Sequence, residues 1–229
     1  GRCDQYMLPY LQKDLQEGRL DEEQAFELLE EFFISFNKDS DLYTGMQQGD
    51  NGQSLVLGGL NPDGTDSYNL LSDMCLRASM ELKLIDPKIN LRVHKNTDLS
   101  IYEKGTHLTK QGLGFPQYSN DDIIIPALCA WGYDEKDAFN YVVAACWEFI
   151  VPDVAMDIPN LGALSFTEAM LRALYSRNDW NGFEELMDCV HQQINIMAQE
   201  LTDSVKNIYM EPSPLMYLLC KGCVQSGRD

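Results

Sequence analysis

The chain has 229 residues, of which 45% are hydrophobic and 23% charged, a globular composition that excludes disorder, collagen and coiled coil. That length exceeds one typical domain and can bury a core without a disulfide or metal framework. Seventeen basic residues against 36 acidic ones give a net charge of -19, which repels phosphate backbones and anionic lipid and so argues against nucleic acid and membrane partners.

The first clear element is a helix from about Asp21 to Phe36, with Asp21 as N-cap, Gln24 three residues on, and Ala25, Leu29, Phe32, Phe33 and Phe36 at helical spacing. A polar, turn-prone stretch follows from Asn37 to Gln53. Asn37, Asp39 and Asp41 suggest a calcium loop, but Leu42 stands where the tight turn needs Gly and Gln48 where the bidentate Glu belongs. Ser54-Leu55-Val56-Leu57 is a short buried strand ended by Gly58-Gly59. The Asn61-Pro62-Asp63-Gly64 turn leads to a helix capped near Thr65 or Asp66, with Leu70, Leu71, Met74, Ala78 and Leu82 on its stripe and Pro87 as its stop.

Residues Ile89 to Val93 alternate apolar and polar as a strand does. Helices are expected over about Leu99–Gln111 and Asp121–Trp131, and Asp134 opens a third that leads into Tyr141–Cys146. After Cys146, the prolines at 152 and 159 disfavour helix and predict an extended loop. The last third is helical, about Phe166–Tyr175 and Phe183–Tyr209. Few strands separated by helices make the fold class α/β or α+β, and no linker divides the chain.

Seven scattered cysteines, at 3, 75, 129, 146, 189, 220 and 223, predict a reducing, cytoplasmic compartment. Cys146-Trp147-Glu148 is the most informative local feature. In an extended segment residues i and i+2 share a face, so thiol and carboxylate sit together, suited to chemistry in which sulfur handles one hydrogen and the carboxylate another. The plain alternative is a packed cysteine beside a solvated glutamate. Gly112-Leu113-Gly114 lacks the third glycine of a dinucleotide site and reads as a turn. Cys220-Lys221-Gly222-Cys223 is a lone CxxC; with no second pair it predicts no metal site, and a thiol oxidoreductase is the remaining alternative there. His94, His107 and His191 have no metal-binding spacing, and no cofactor-binding or metal residues are expected in this chain.

Collinear stretches run through Asp4-Gln5-Tyr6 with Pro9-Tyr10, Leu57-Gly58-Gly59, Asp63-Gly64-Thr65-Asp66 and Asn69-Leu70-Leu71-Ser72. They continue through Asp86-Pro87, Arg92, His94, Gly112–Pro116, Asn120-Asp121, Asp137-Ala138, Tyr141, Cys146-Trp147-Glu148, Pro212–Leu215 and Gly222-Cys223. This ordered series resembles the glycyl radical enzymes of the pyruvate formate-lyase superfamily. The resemblance implies an α/β fold, helix-rich, forming part of the family's ten-stranded α/β barrel, roughly one half-barrel with surrounding helices. It implies that residues 1–229 are the central part of that barrel, with the C-terminal glycyl radical domain absent from this stretch, which alone is expected to be inactive.

Cys146 matches the family's thiyl position, and Glu148 matches the Cys-x-Glu pattern of the dehydratase and C–X lyase branches, where it is general base or acid. Asp157 and Asn160, just past the cysteine loop, are candidate substrate contacts. The implied reaction is hydrogen abstraction by a thiyl radical, then elimination from a small polar substrate in an anaerobic, cytoplasmic enzyme. Ala145 stands where pyruvate formate-lyase has a second cysteine, which disfavours formate acetyltransferase-like acyl transfer. Trp147 is bulkier than the family's usual residue there. No cofactor is expected bound to this chain. The glycyl radical would come from the missing domain, installed by an S-adenosylmethionine/iron–sulfur activating enzyme, and the full-length enzyme would be a homodimer. The rival from another class is a non-catalytic remnant or binding module that keeps the packing alone.

Overall fold

The computed structural model describes residues 1–37, 52–144, 148–154 and 162–208. Two helices, α1 (Cys3–Tyr6) and α2 (Leu8–Gln16), precede the first one expected from the sequence. Helix α1 is a single turn, too short for a periodic signal, whereas Leu8, Leu11 and Leu15 of α2 share one face, and Leu8 and Leu11 pack against buried apolar side chains although α2 itself contains no buried residue. Helix α3 (Glu22–Ser35) follows the sequence closely. Asp21 accepts from the Gln24 N–H at 2.8 Å while the Gln24 side chain accepts from the Asp21 N–H at 3.1 Å. This reciprocal cap satisfies two backbone donors that the first turn leaves unpaired.

Strand β1 (Ser54–Gly58) is joined through helix α4 (Leu70–Leu82) to β2 (Lys88–Val93), and that through α5 (Leu99–Thr109) to β3 (Gln117–Asn120). The three strands are parallel in the order β1–β2–β3, the arrangement that requires a crossover between consecutive strands. Gly58 pairs with Arg92, and Arg92 with Ser119. The period of two splits the sheet between two cores. Leu55, Leu57, Ile89, Leu91 and Val93 pack with Phe26, Phe33, Cys75 and Leu76 from the helices. Val56 belongs to a second core with Ile125, Leu128, Tyr141, Val142 and Val151.

Residues Asn90 and Arg92 of β2 are 2% and 1% exposed, because a central parallel strand is covered on both faces. Three expectations are corrected here. Helix α4 is capped by Asn69, not Thr65 or Asp66; Asp63 and Asp66 accept instead from the Thr65 and Tyr68 N–H groups within the preceding turn. The same helix ends at Lys83 in the left-handed conformation, well before Pro87. Strand β3 is additional to the expected elements, because its Gln-Tyr-Ser-Asn sequence has no apolar alternation.

Helix α6 (Asp121–Ala130) starts directly after β3, with Asn120 accepting from the Asp122 N–H at 3.0 Å. The helix opened by Asp134 is a single turn, α7 (Glu135–Ala138), after which the backbone becomes extended. Strands β4 (Val142–Ala144) and β5 (Glu148–Ile150) pair antiparallel, Val142 with Ile150, Val143 with Phe149 and Ala144 with Glu148. The β-branched pair at 142 and 143 favours this extended course.

The described residues up to Val154 form one unit and those from Gly162 another. The second is a helix pair, α8 (Phe166–Ser176) and α9 (Phe183–Val205), with the Ser165 hydroxyl accepting from the Glu168 N–H at 3.2 Å to cap α8. Its buried residues are Ala169, Ala173 and Val190, and Arg172 links Glu168 to Glu200 across the two helices. No helix among the described residues is long and apolar enough to cross a membrane.

Candidate functional site

The C-terminal ends of the three parallel strands bring polar side chains into a dry interior. Arg92, near the end of β2, and Asp121, one residue past β3, form an ion pair at 2.8 Å with both side chains fully buried. The guanidinium meets the carboxylate through two nitrogens: Nε donates to Oδ1 at 2.9 Å and Nη2 to Oδ2 at 2.8 Å. Its Nη1 donates to the backbone carbonyls of Phe139 at 3.0 Å and Tyr141 at 3.1 Å. Asp121 also accepts from the Tyr141 hydroxyl and from the Leu60 N–H, each at 2.6 Å. Every group of this buried pair therefore has partners, the condition under which burial of two charges is tolerated.

The surrounding sequence makes room for the pair. Gly59 has φ +106°, and a Cβ there would lie 2.7 Å from Arg92 Nε and 2.9 Å from Asp121 Oδ2, so glycine is required both for conformation and for space. Arg2 approaches from α1, donating to the carbonyls of Gly58 at 3.2 Å and Phe139 at 3.3 Å and to the Ser67 hydroxyl at 3.1 Å. Burial, with the charge of Arg92 as a second cause, lowers the Arg2 pKa to about 10. Burial also pushes the Tyr141 phenol up, so it stays a hydrogen-bond donor at neutral pH. Close by, Asp4 accepts from the Gly58 N–H and the Ser72 hydroxyl, each at 2.7 Å, and burial raises its carboxyl.

The Tyr141 ring continues the assembly into the β4–β5 hairpin. Arg92 lies over its face at 4.0 Å, and the Phe149 ring meets it edge-on with centroids 5.9 Å apart. Glu148 is half-buried at the start of β5, opposite Ala144. Beside the hairpin lies a cavity of about 410 Å³ lined by Ser54, Val142, Ala144, Ile150 and Asp153 among others. Its lining does not include Glu148.

Of the residues expected from the sequence to carry chemistry, Glu148 is described; Cys146, Trp147, Asp157 and Asn160 lie outside the described residues. Cys220 and Cys223 lie outside them as well. Among the described residues no group of three His, Cys, Asp or Glu side chains could hold a metal ion. His94 is buried with its ring between Asp66, 3.1 Å from Nε2, and the Asn96 N–H, 3.3 Å from Nδ1, a role in the strand-end loops. The network that sequence reasoning missed is the Arg92–Asp121–Tyr141 assembly. Its members stand out singly, but nothing in their spacing says that residues 29 and 20 positions apart meet.

Comparison with known proteins gives these features a family. The pyruvate formate lyase-like family profile matches residues 1–229. A trans-4-hydroxy-L-proline dehydratase from Clostridioides difficile is 28% identical over the whole of this chain and 32% of its own length. An isethionate sulfite-lyase from Oleidesulfovibrio alaskensis is 30% identical over 77% of this chain and 22% of its own. A solved structure of 1,2-propanediol dehydration in Roseburia inulinivorans superposes with a TM-score of 0.67 at 28% identity, covering all of this chain and 32% of that one. The chain thus spans about a third of the length of such relatives, or less. A parallel sheet with crossover helices, matched from end to end by one family, leads to a single conclusion: this chain belongs to the pyruvate formate lyase-like family of glycyl radical enzymes.

Proposed function

We propose that this chain is the thiol-bearing part of a glycyl radical lyase that eliminates a leaving group from a small polar substrate, with Cys146 and Glu148 as its reacting groups. The observation that supports this best is the β4–β5 hairpin, in which Ala144 pairs with Glu148 on either side of the Cys146 tripeptide. The names of the relatives, a hydroxyproline dehydratase and a sulfite-lyase, fit elimination better than acyl transfer.

The glycyl radical of such an enzyme, carried outside this chain and installed by an S-adenosylmethionine/iron–sulfur activating enzyme, supplies the unpaired electron by taking the thiol hydrogen. Cys146, as thiyl, then removes a hydrogen atom from a substrate carbon. A carbon radical acidifies the adjacent hydroxyl or amine, and Glu148 accepts that proton as the leaving group departs with its electron pair. Cys146 returns the hydrogen atom to the product radical, so the thiyl is regenerated. Residues 157 and 160 are assigned to substrate contact. A homodimer in an anaerobic cytoplasm completes the reading.

The test is the activated full-length protein with Cys146→Ala. Turnover is expected to vanish while the glycyl radical signal in electron paramagnetic resonance persists; normal turnover overturns the assignment. Glu148→Gln is expected to slow product formation by about 10²-fold or more, the usual contribution of a positioned acid–base group. An unchanged product rate removes Glu148 from the mechanism.

A further inference from the structure

We propose that the buried Arg92–Asp121–Tyr141 assembly positions the catalytic hairpin, fixing the root of β4 so that Cys146 and Glu148 meet the substrate in register. The inference rests on the reading of Cys146 and Glu148 given above. Three observations carry it.

First, the hairpin is too short to orient itself. Its strands share three residue pairs, β5 is only half-buried, and two-stranded hairpins are marginal on their own in water. Second, the guanidinium of Arg92 is directed at the backbone where α7 gives way to β4. It holds the carbonyls of Phe139 and Tyr141, and Arg2 converges on the same Phe139 carbonyl at 3.3 Å. Third, the assembly ties that root to the end of each parallel strand. Leu60 after β1 donates to Asp121, Arg92 lies in β2, and Asp121 follows β3. Tyr141 then passes the constraint to β5 through Phe149.

Stability alone does not call for this arrangement, because a buried ion pair is often no better than apolar residues of the same volume. What it adds is direction, since planar guanidinium and carboxylate groups fix angles as well as distances. Transfer of a hydrogen atom is sensitive to such placement, and a 1 Å displacement of a reacting group can cost about 10²-fold in rate.

The experiment uses Arg92→Lys and Tyr141→Phe in the activated full-length protein. The first keeps the charge but loses the two-nitrogen grip and the carbonyl contacts; the second removes only the hydroxyl bonded to Asp121. Arg92→Lys is expected to lower kcat about tenfold or more with KM within about twofold, at undiminished glycyl radical content. Tyr141→Phe should act in the same direction with a smaller loss. Hydrogen exchange should speed up in peptides covering 140–152 and stay unchanged in those covering β1 and α4. Unchanged kcat in both variants overturns the proposal. So does a loss of protection spread over the whole sheet together with a lowered radical content, which a merely structural role would give. If Arg92→Lys does not fold, Tyr141→Phe decides by the same criteria. Turnover in Cys146→Ala would sink the reading of the cysteine, while hydrogen exchange would still report on the clamp.

Discussion

The sheet-bearing unit and the helix pair solve the problem of burial in opposite ways. The first buries two apolar clusters and, between the strand ends, Asp4, Asn90, Arg92, Ser119 and Asp121, each less than 3% exposed. The second buries Ala169, Ala173 and Val190 and leaves Phe166, Tyr175 and Phe183 exposed. Small residues let α8 and α9 approach closely, and the polar link between them, from Arg172 to Glu200, lies on the exposed surface. The contrast teaches where geometric precision resides: buried directional bonds crowd the strand ends beside the β4–β5 hairpin, while the helix pair keeps its charged contacts at the surface.

Asp121→Ala should break this contrast most sharply. It leaves the Arg92 charge buried and unpaired, and the expected cost is about 3–5 kcal/mol, read as a drop in the denaturation midpoint. Gly59→Ala comes next. The added Cβ must displace Arg92 or Asp121 and take a strained φ, for an expected loss of about 1–3 kcal/mol. In the helix pair, Val190→Ala removes the largest of its buried side chains and should cost about 1–2 kcal/mol, with the first unit's protection from hydrogen exchange unchanged.

The smallest effect concerns pH. Burial raises the Asp4 carboxyl above its unfolded value, so the folded state holds the proton more tightly. That contribution is fully present below the unfolded pKa, near 3.8, and is lost as pH rises through the folded one. Asp4→Asn should therefore flatten the fall in stability above pH 4, measured as the difference in denaturation midpoint between wild type and variant. A parallel pH dependence in the two proteins would remove Asp4 from the account.

Elements with a local signal are legible in the amino-acid order. The capping box at Asp21 and Gln24, the apolar stripe of α4, the run Ser54–Leu57 and both helices of the second unit follow from spacing and capping chemistry within a few residues. Strand β3 escapes such a reading because it lacks a local signal. The strand Gln117–Asn120 exists because its backbone pairs with β2, and its side chains carry no pattern of their own. The cap of α4 falls at Asn69 because Asp63 and Asp66 find nearer N–H groups in the turn.

The candidate site divides in the same way. The Cys-x-Glu tripeptide, the glycine pair at 58 and 59 and the family itself are properties of the amino-acid order, since the chemistry of a thiol beside a carboxylate is local. That Arg92 grips Asp121 and holds the carbonyls of Phe139 and Tyr141 is decided only by the tertiary structure. Alternation in a strand specifies two faces but not which of them is dry. Coverage of β2 on both sides keeps Arg92 out of water and against Asp121 and the carbonyls before β4.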